Sequence, residues 1–239
     1  MQPNRLVRFI AILICLSALI SLLFFAIRIT INNRVFFESE YTRLDHARSM
    51  GMQTGELTDS TMQMIKYMEG TADSIDLTVT VDGQRVSMFN DRERAHMVDV
   101  RALYQSFMRF STISAAVFVA FLAFAGRTIT YEHRGEVKKM RISGSRAFLN
   151  ASGVFLLIIL AAGTWVLIDF NSFWISFHLL FFTNDLWILD PATSRMINMM
   201  PWELFYDIVL RAGGLFALAW ALCTVVAAGF RRRERRLGL

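Results

Sequence analysis

The chain has 239 residues, 54% of them hydrophobic, and a formal net charge of +5. Soluble domains sit at about 45–50% apolar residues, so this excess argues against a soluble protein wherever the apolar residues are contiguous. With two cysteines the chain is no disulfide-stapled scaffold, and its basic clusters flank apolar runs, where anionic headgroups rather than nucleic acid account for them.

The first apolar run, Leu6 to Ile27, is broken only by Arg8. About 20 such residues cross a hydrocarbon core of about 30 Å. Arg5 and Arg8 would suit a signal peptide. The stretch is long for one, however, and no A-x-A-like cleavage site follows Phe24-Phe25-Ala26-Ile27-Arg28, so residues 6–27 read as a permanent first span. Leu13-Ile14 before Cys15 also lack the small residues of a lipobox.

Residues 28–106 read as a folded α+β segment. Phe36 to Ser49 is a polar helix or extended arm. Thr58-Asp59-Ser60 can cap a helix that carries Met62, Ile65 and Met68 and ends near Gly70. The runs Ile75–Val81 and Gln84–Phe89, joined by Asp82-Gly83, predict a hairpin. Asn90 or Asp91 can cap a third helix through His96 and Tyr104 toward the second span, residues 107–126. Residues 127–147 form a basic loop with Arg127, Arg134, Lys138, Lys139, Arg141 and Arg146 against Glu132 and Glu136.

The third span, 148–168, contains no charge. Residues 169–205 are too aromatic for a solvated loop and suit the membrane–water interface, with Pro201-Trp202 opening a second interfacial stretch. The fourth span, 206–230, is built on the apolar run Ala212 to Phe230, and 231–239 is a basic tail. The fold class expected is an α-helical membrane protein: a four-transmembrane-helix bundle with a small α+β extracytoplasmic insertion after the first span. The positive-inside bias puts the basic loop, the tail and both termini in the cytoplasm, and the residue 28–106 and 169–205 segments outside.

Topology sorts the four histidines. His133 lies in the basic loop and His46 in a polar stretch with Asp45 and Arg48, where solvation is the simpler reading for both. His96 and His178 fall outside, near the membrane surface. His96 shares a helix face with Asp99 at i+3, which fits an ordinary solvated pair as well as a site. His178 is the one titratable group between Phe173 and Phe182, so its imidazole is either desolvated and proton-accepting or a structural partner of a backbone carbonyl. Asp207 and Arg211, at i and i+4, most simply form an ion pair. Arg109 can snorkel, and Arg109 and Arg211 are both candidates for lipid headgroups. Hydrolase elbows, Walker loops and Cys-based metal patterns are absent from the sequence.

Two stretches, Glu93-Arg94-Ala95-His96-Met97-Val98-Asp99-Val100 and Phe177-His178-Leu179-Leu180-Phe181-Phe182-Thr183-Asn184-Asp185-Leu186-Trp187-Ile188-Leu189-Asp190-Pro191, resemble the lipoprotein intramolecular transacylase family of Gram-positive bacteria. The four-span layout and the Lys66-Tyr67-Met68 helix fit as well. The resemblance implies an enzyme of the cell membrane that acts on diacylglyceryl lipoproteins, moving the sn-2 ester chain to the α-amine of the N-terminal cysteine. The product is the lyso-form lipoprotein. The implied catalytic residues are His178 as base and His96 as oxyanion donor, or the reverse. Asp99 would orient His96, Asn184 and Trp187 would support the pair, and no cofactor or metal is implied. Two other classes compete: a zinc-dependent membrane hydrolase using His96, Asp99 and His178, and a non-enzymatic membrane receptor or interaction protein.

Overall fold

The structure, a computed structural model, describes residues 5–133 and 136–237, and at residues 132, 133, 136 and 138 the backbone alone. The expectation of a solvated His133 therefore lies outside the described side chains. Four helices are long and apolar enough to cross a membrane: α1 (Arg5–Ile31), α5 (Asp91–Phe124), α6 (Gly144–Ile168) and α9 (Trp202–Arg236). Apolar side chains such as Leu13, Val119, Leu157 and Leu222 stand exposed on them. Apolar surface on this scale needs lipid rather than water. The expected fold class holds: four candidate spans and a small strand-containing insertion.

The chain divides into two compact units, Met1–Phe25 with Arg109–Asp169 and Gly214–Leu239, and Ala26–Met108 with Phe170–Gly213. In the first, aromatic side chains join the apolar helices: Phe155 packs on Phe216 and Trp220 at ring separations of 5.5 Å each. Small residues admit close approach, and the Trp220 indole N–H donates to Ser152 Oγ at 3.1 Å. The basic loop is more ordered than its composition suggests. Strands β3 (Thr128–His133) and β4 (Glu136–Arg141) pair antiparallel from Thr128↔Arg141 to His133↔Glu136. Dense charge masks the β-branched and aromatic alternation of Thr128-Ile129-Thr130-Tyr131.

The second unit has its own core of Phe37, Tyr41, Leu57, Ile65, Met88, Phe89 and Met199, all nearly sealed from solvent. The polar arm becomes two helices, α2 (Arg34–Arg43) and α3 (His46–Ser49), with Asn33 capping the first through its side chain. Helix α4 (Thr54–Glu69) starts a turn earlier than expected. The Thr58 and Ser60 hydroxyls donate back to the carbonyls of Thr54 and Glu56 at 2.8 Å, so they sit inside the helix rather than capping it. It ends where expected, at Gly70 with φ +82°. The hairpin of β1 (Thr78–Val81) and β2 (Gln84–Ser87) turns through Asp82 and Gly83, both with positive φ, as a two-residue loop demands.

The aromatic segment is also helical: α7 covers Phe170–Phe181, and a short α8 (Arg195–Asn198) precedes α9. Three side-chain expectations change here. Asp207 pairs with Arg43, not Arg211. Arg211 lies over the Phe36 ring at 4.9 Å. His46 is only half-exposed, its Nε2 within 2.7 Å of the Asn198 carbonyl oxygen.

Candidate active site

The first histidine is positioned by the start of α5. Asn90 and Glu93 form a reciprocal cap. The Glu93 N–H donates to Asn90 Oδ1 at 2.9 Å, and the Asn90 N–H donates to Glu93 Oε2 at 2.6 Å. Glu93 is 1% exposed, and its second oxygen accepts from the Ser194 hydroxyl at 2.6 Å and the Met196 N–H at 2.8 Å. A buried carboxylate with every acceptor in use fastens the helix start to the chain around α8. His96 follows one turn later, beside Met97 of the core.

The second histidine is positioned by α7. The His178 Nδ1–H donates to the Trp174 carbonyl oxygen, one turn back, at 2.8 Å. A carbonyl only accepts, so the proton is on Nδ1, and in the neutral ring Nε2 holds the lone pair. Aromatic rings enclose it, with Trp174 at 4.4 Å, Trp187 stacked at 4.8 Å, Phe177 at 5.4 Å and Phe182 at 5.6 Å. His96 meets the same cluster, its ring 5.3 Å from Phe182 and 6.2 Å from His178. The two imidazoles, 7% and 5% exposed, thus share one aromatic chamber.

Electrostatics follow from that burial. His96 precedes the apolar run of α5, which begins at Phe107, and its pKa is lowered to about 4, chiefly by burial. The nearby His178 contributes to that lowering and Asp99 opposes it. Burial also lowers His178, against the hydrogen bond to Trp174. Both rings are therefore neutral near pH 7. His96 Nδ1 and Trp187 Nε1 are buried with no hydrogen-bond partner in the structure. Buried polar atoms without partners are rare and concentrate where chemistry or ligands require them.

The supporting residues arrange themselves differently from the sequence expectation. Asp99 does not hydrogen-bond to His96. Its Oδ2 accepts from Asn184 Nδ2 at 2.8 Å, while Asn184 Oδ1 accepts from the Leu186 N–H at 3.1 Å. Asn184 therefore links α5 to the turn that presents Trp187. Arg109 is exposed on α5 in the other unit, and Arg211, also exposed, lies over the Phe36 ring. Among the described residues no three His, Cys, Asp or Glu side chains converge to hold a metal ion.

Sequence reasoning did not single out Glu93 or Arg92 as site-building residues. Arg92 donates to the Ile188 carbonyl at 3.1 Å and pairs with Asp185 at 3.4 Å, anchoring the turn that carries Asn184 and Trp187. A signal was present. Arginine in the first turn of a helix opposes its dipole, which suggests a partner elsewhere.

A cavity of about 270 Å³ is lined by Asp99, Leu103, Ser106, Phe182, Thr183 and Asn184, one helical turn along α5 from His96. Fold and site together define a class: an integral membrane protein with a buried histidine pair in an aromatic chamber. The family model described as "Lipoprotein intramolecular transacylase Lit" matches residues 12–205, and the chain belongs to that family of membrane-integral acyltransferases. Among solved structures it is similar to lipoprotein intramolecular transacylase Lit from Bacillus cereus. The TM-score is 0.68 at 17% identity, over 98% of this chain and 100% of that one. A variant of the same protein with one histidine replaced by arginine gives a TM-score of 0.67 at 18% identity, over 96% and 93% of the two chains. At that identity these likenesses speak for the fold. No curated protein sequence matches the chain.

Proposed function

We propose that this transacylase moves the sn-2 acyl chain of a diacylglyceryl lipoprotein onto the α-amino group of the N-terminal cysteine, with His178 and His96 handling the protons. Family membership supports the reaction class. The observation that carries the mechanism is two neutral imidazoles with ring centres 6.2 Å apart in one aromatic chamber.

An α-amine has a pKa of about 7.7–8.0 and is largely protonated at neutral pH. The neutral fraction is the nucleophile: as its nitrogen attacks the ester carbonyl carbon, His178 Nε2, with its lone pair fixed by the Trp174 bond, accepts the proton the nitrogen loses. The carbonyl oxygen gains charge in the tetrahedral intermediate and takes a hydrogen bond from His96. Collapse breaks the carbon–oxygen ester bond, and the imidazolium returns its proton to the departing glyceryl oxygen. The net change is one ester to one amide and one hydroxyl, with no water consumed. Amine and ester belong to one substrate, so proximity supplies much of the acceleration and no acyl-enzyme is needed. The aromatic rings exclude the water that would otherwise hydrolyse the ester.

In this reading the spans are residues 6–27, 107–126, 148–168 and 206–230, the termini are cytoplasmic, and the chamber opens at the outer face. The test is mass spectrometry of a synthetic diacylglyceryl lipopeptide incubated with the purified protein. Transfer leaves the mass unchanged, so fragmentation must find the chain on nitrogen rather than glycerol. His178→Ala and His96→Ala are expected to slow transfer by about 10²- to 10⁴-fold, and a chelator to have no effect. Released fatty acid and chelator sensitivity would instead favour the zinc hydrolase, and unchanged lipopeptide with folded protein the receptor.

A further inference from the structure

Around the chamber, charged side chains of α5 have opposite charges or rings to meet. Arg92 pairs with Asp185, Arg94 with Asp76 and Asp91, and the Arg101 guanidinium lies over the Tyr67 ring at 4.6 Å. Among the described residues Glu93 has no cation, but both its oxygens are taken by neutral donors; Asp99 has no cation and an oxygen to spare. One carboxylate oxygen takes the Asn184 amide, and the other is uncommitted. The side chain lines the cavity of about 270 Å³ one helical turn from His96, with Ser106, Thr183 and Asn184 as uncharged polar neighbours. Asp99 lies close enough to His96 for its charge to oppose that ring's loss of basicity.

The substrate of an N-transacylation brings the missing charge. We propose that Asp99 receives the substrate's α-ammonium group, so that a free amino terminus is a condition of binding and not only of chemistry; this rests on the transacylase reading above. An ammonium has three donors for the uncommitted carboxylate oxygen and the polar groups around it. Held there, its nitrogen is one turn along α5 from His96; loss of one proton to solvent frees the neutral amine from Asp99, and the second proton passes to His178 as the nitrogen attacks. Asp99 is thus a specificity residue for the amine end of the substrate.

The test separates binding from transfer. Two analogues carry both alkyl chains through ethers, which cannot transfer: one has a free α-amine, the other an acetylated amine. Wild type at pH 7 should bind the free amine about ten- to a hundredfold more tightly, the strength of a charge-assisted hydrogen bond. That preference should shrink as pH rises past about 8 and the amine loses its charge. Asp99→Asn keeps an oxygen for the Asn184 amide but removes the charge. It should bind both analogues alike, with the acetylated one held as in wild type, which also reports that the variant is folded. No preference in wild type, or a preference that survives in Asp99→Asn, overturns the proposal. Ester-linked lipopeptide that wild type binds with amine preference but does not transfer would sink the transacylase reading and leave amine recognition standing.

Discussion

Burial and protonation oppose each other at His96 and His178, and the opposition has a sign that can be measured. Both rings have folded pKa values below the ordinary 6.5. In the unfolded chain they take up protons near 6.5, in the folded chain only at lower pH. Stability from this source is complete above about pH 6.5 and falls as acid drives protons onto the unfolded state. For His96 the loss runs from 6.5 down to about 4. The melting temperature in detergent should therefore drop across that window, and His96→Phe should drop less than wild type. An equal fall in both would mean that carboxylates, not this ring, set the acid limit.

At the scale of elements, the site depends on how the start of α5 is fastened. Glu93→Ala strips partners from the Asn90 N–H, the Ser194 hydroxyl and the Met196 N–H at once. The expected cost is about 2–4 kcal/mol, summing a lost cap with stranded buried donors. Thermal unfolding should show it, with transfer activity lost in parallel because His96 sits one turn further on. Parts of this architecture were legible in the sequence because local chemistry dictates them. Asp82-Gly83 supplies two positive-φ residues, and Asn90 was one of two candidate caps for α5. Helix α7 was harder to see, since a run that is nearly all aromatic hides its period. The signal was the recurrence of Phe170, Trp174, Phe177, His178 and Phe181 at intervals of three and four, one face of a helix. The α4 boundary was misread because Thr58 and Ser60 satisfy themselves within a helix as readily as at its cap.

For the whole molecule, the four apolar stretches and the bias of Lys and Arg carried the reading. Period and charge are one-dimensional properties, and a lipid bilayer responds to them directly. Orientation is checked with single cysteines after Cys15 and Cys223 are replaced by alanine. A cysteine at exposed Arg85, in β2, should react with an impermeant maleimide on intact cells, and one at exposed Thr130, in β3, only after permeabilisation. The reverse pattern would invert the topology and place the chamber in the cytoplasm. What the sequence could not convey was convergence. Two histidines could be sorted to one side of the membrane by charge alone. That Asp99 reaches Asn184 instead of His96, or that Asp207 finds Arg43, depends on three-dimensional packing that no spacing rule encodes.

Among the buried side-chain polar atoms without a hydrogen-bond partner, two, His96 Nδ1 and Trp187 Nε1, stand in the aromatic chamber. A buried polar group that finds no partner costs about 1–3 kcal/mol. Apolar replacements at these positions are a short route to a sturdier protein, and the same replacements dismantle the chamber. Stabilising substitutions that keep the chemistry must therefore lie elsewhere in the chain.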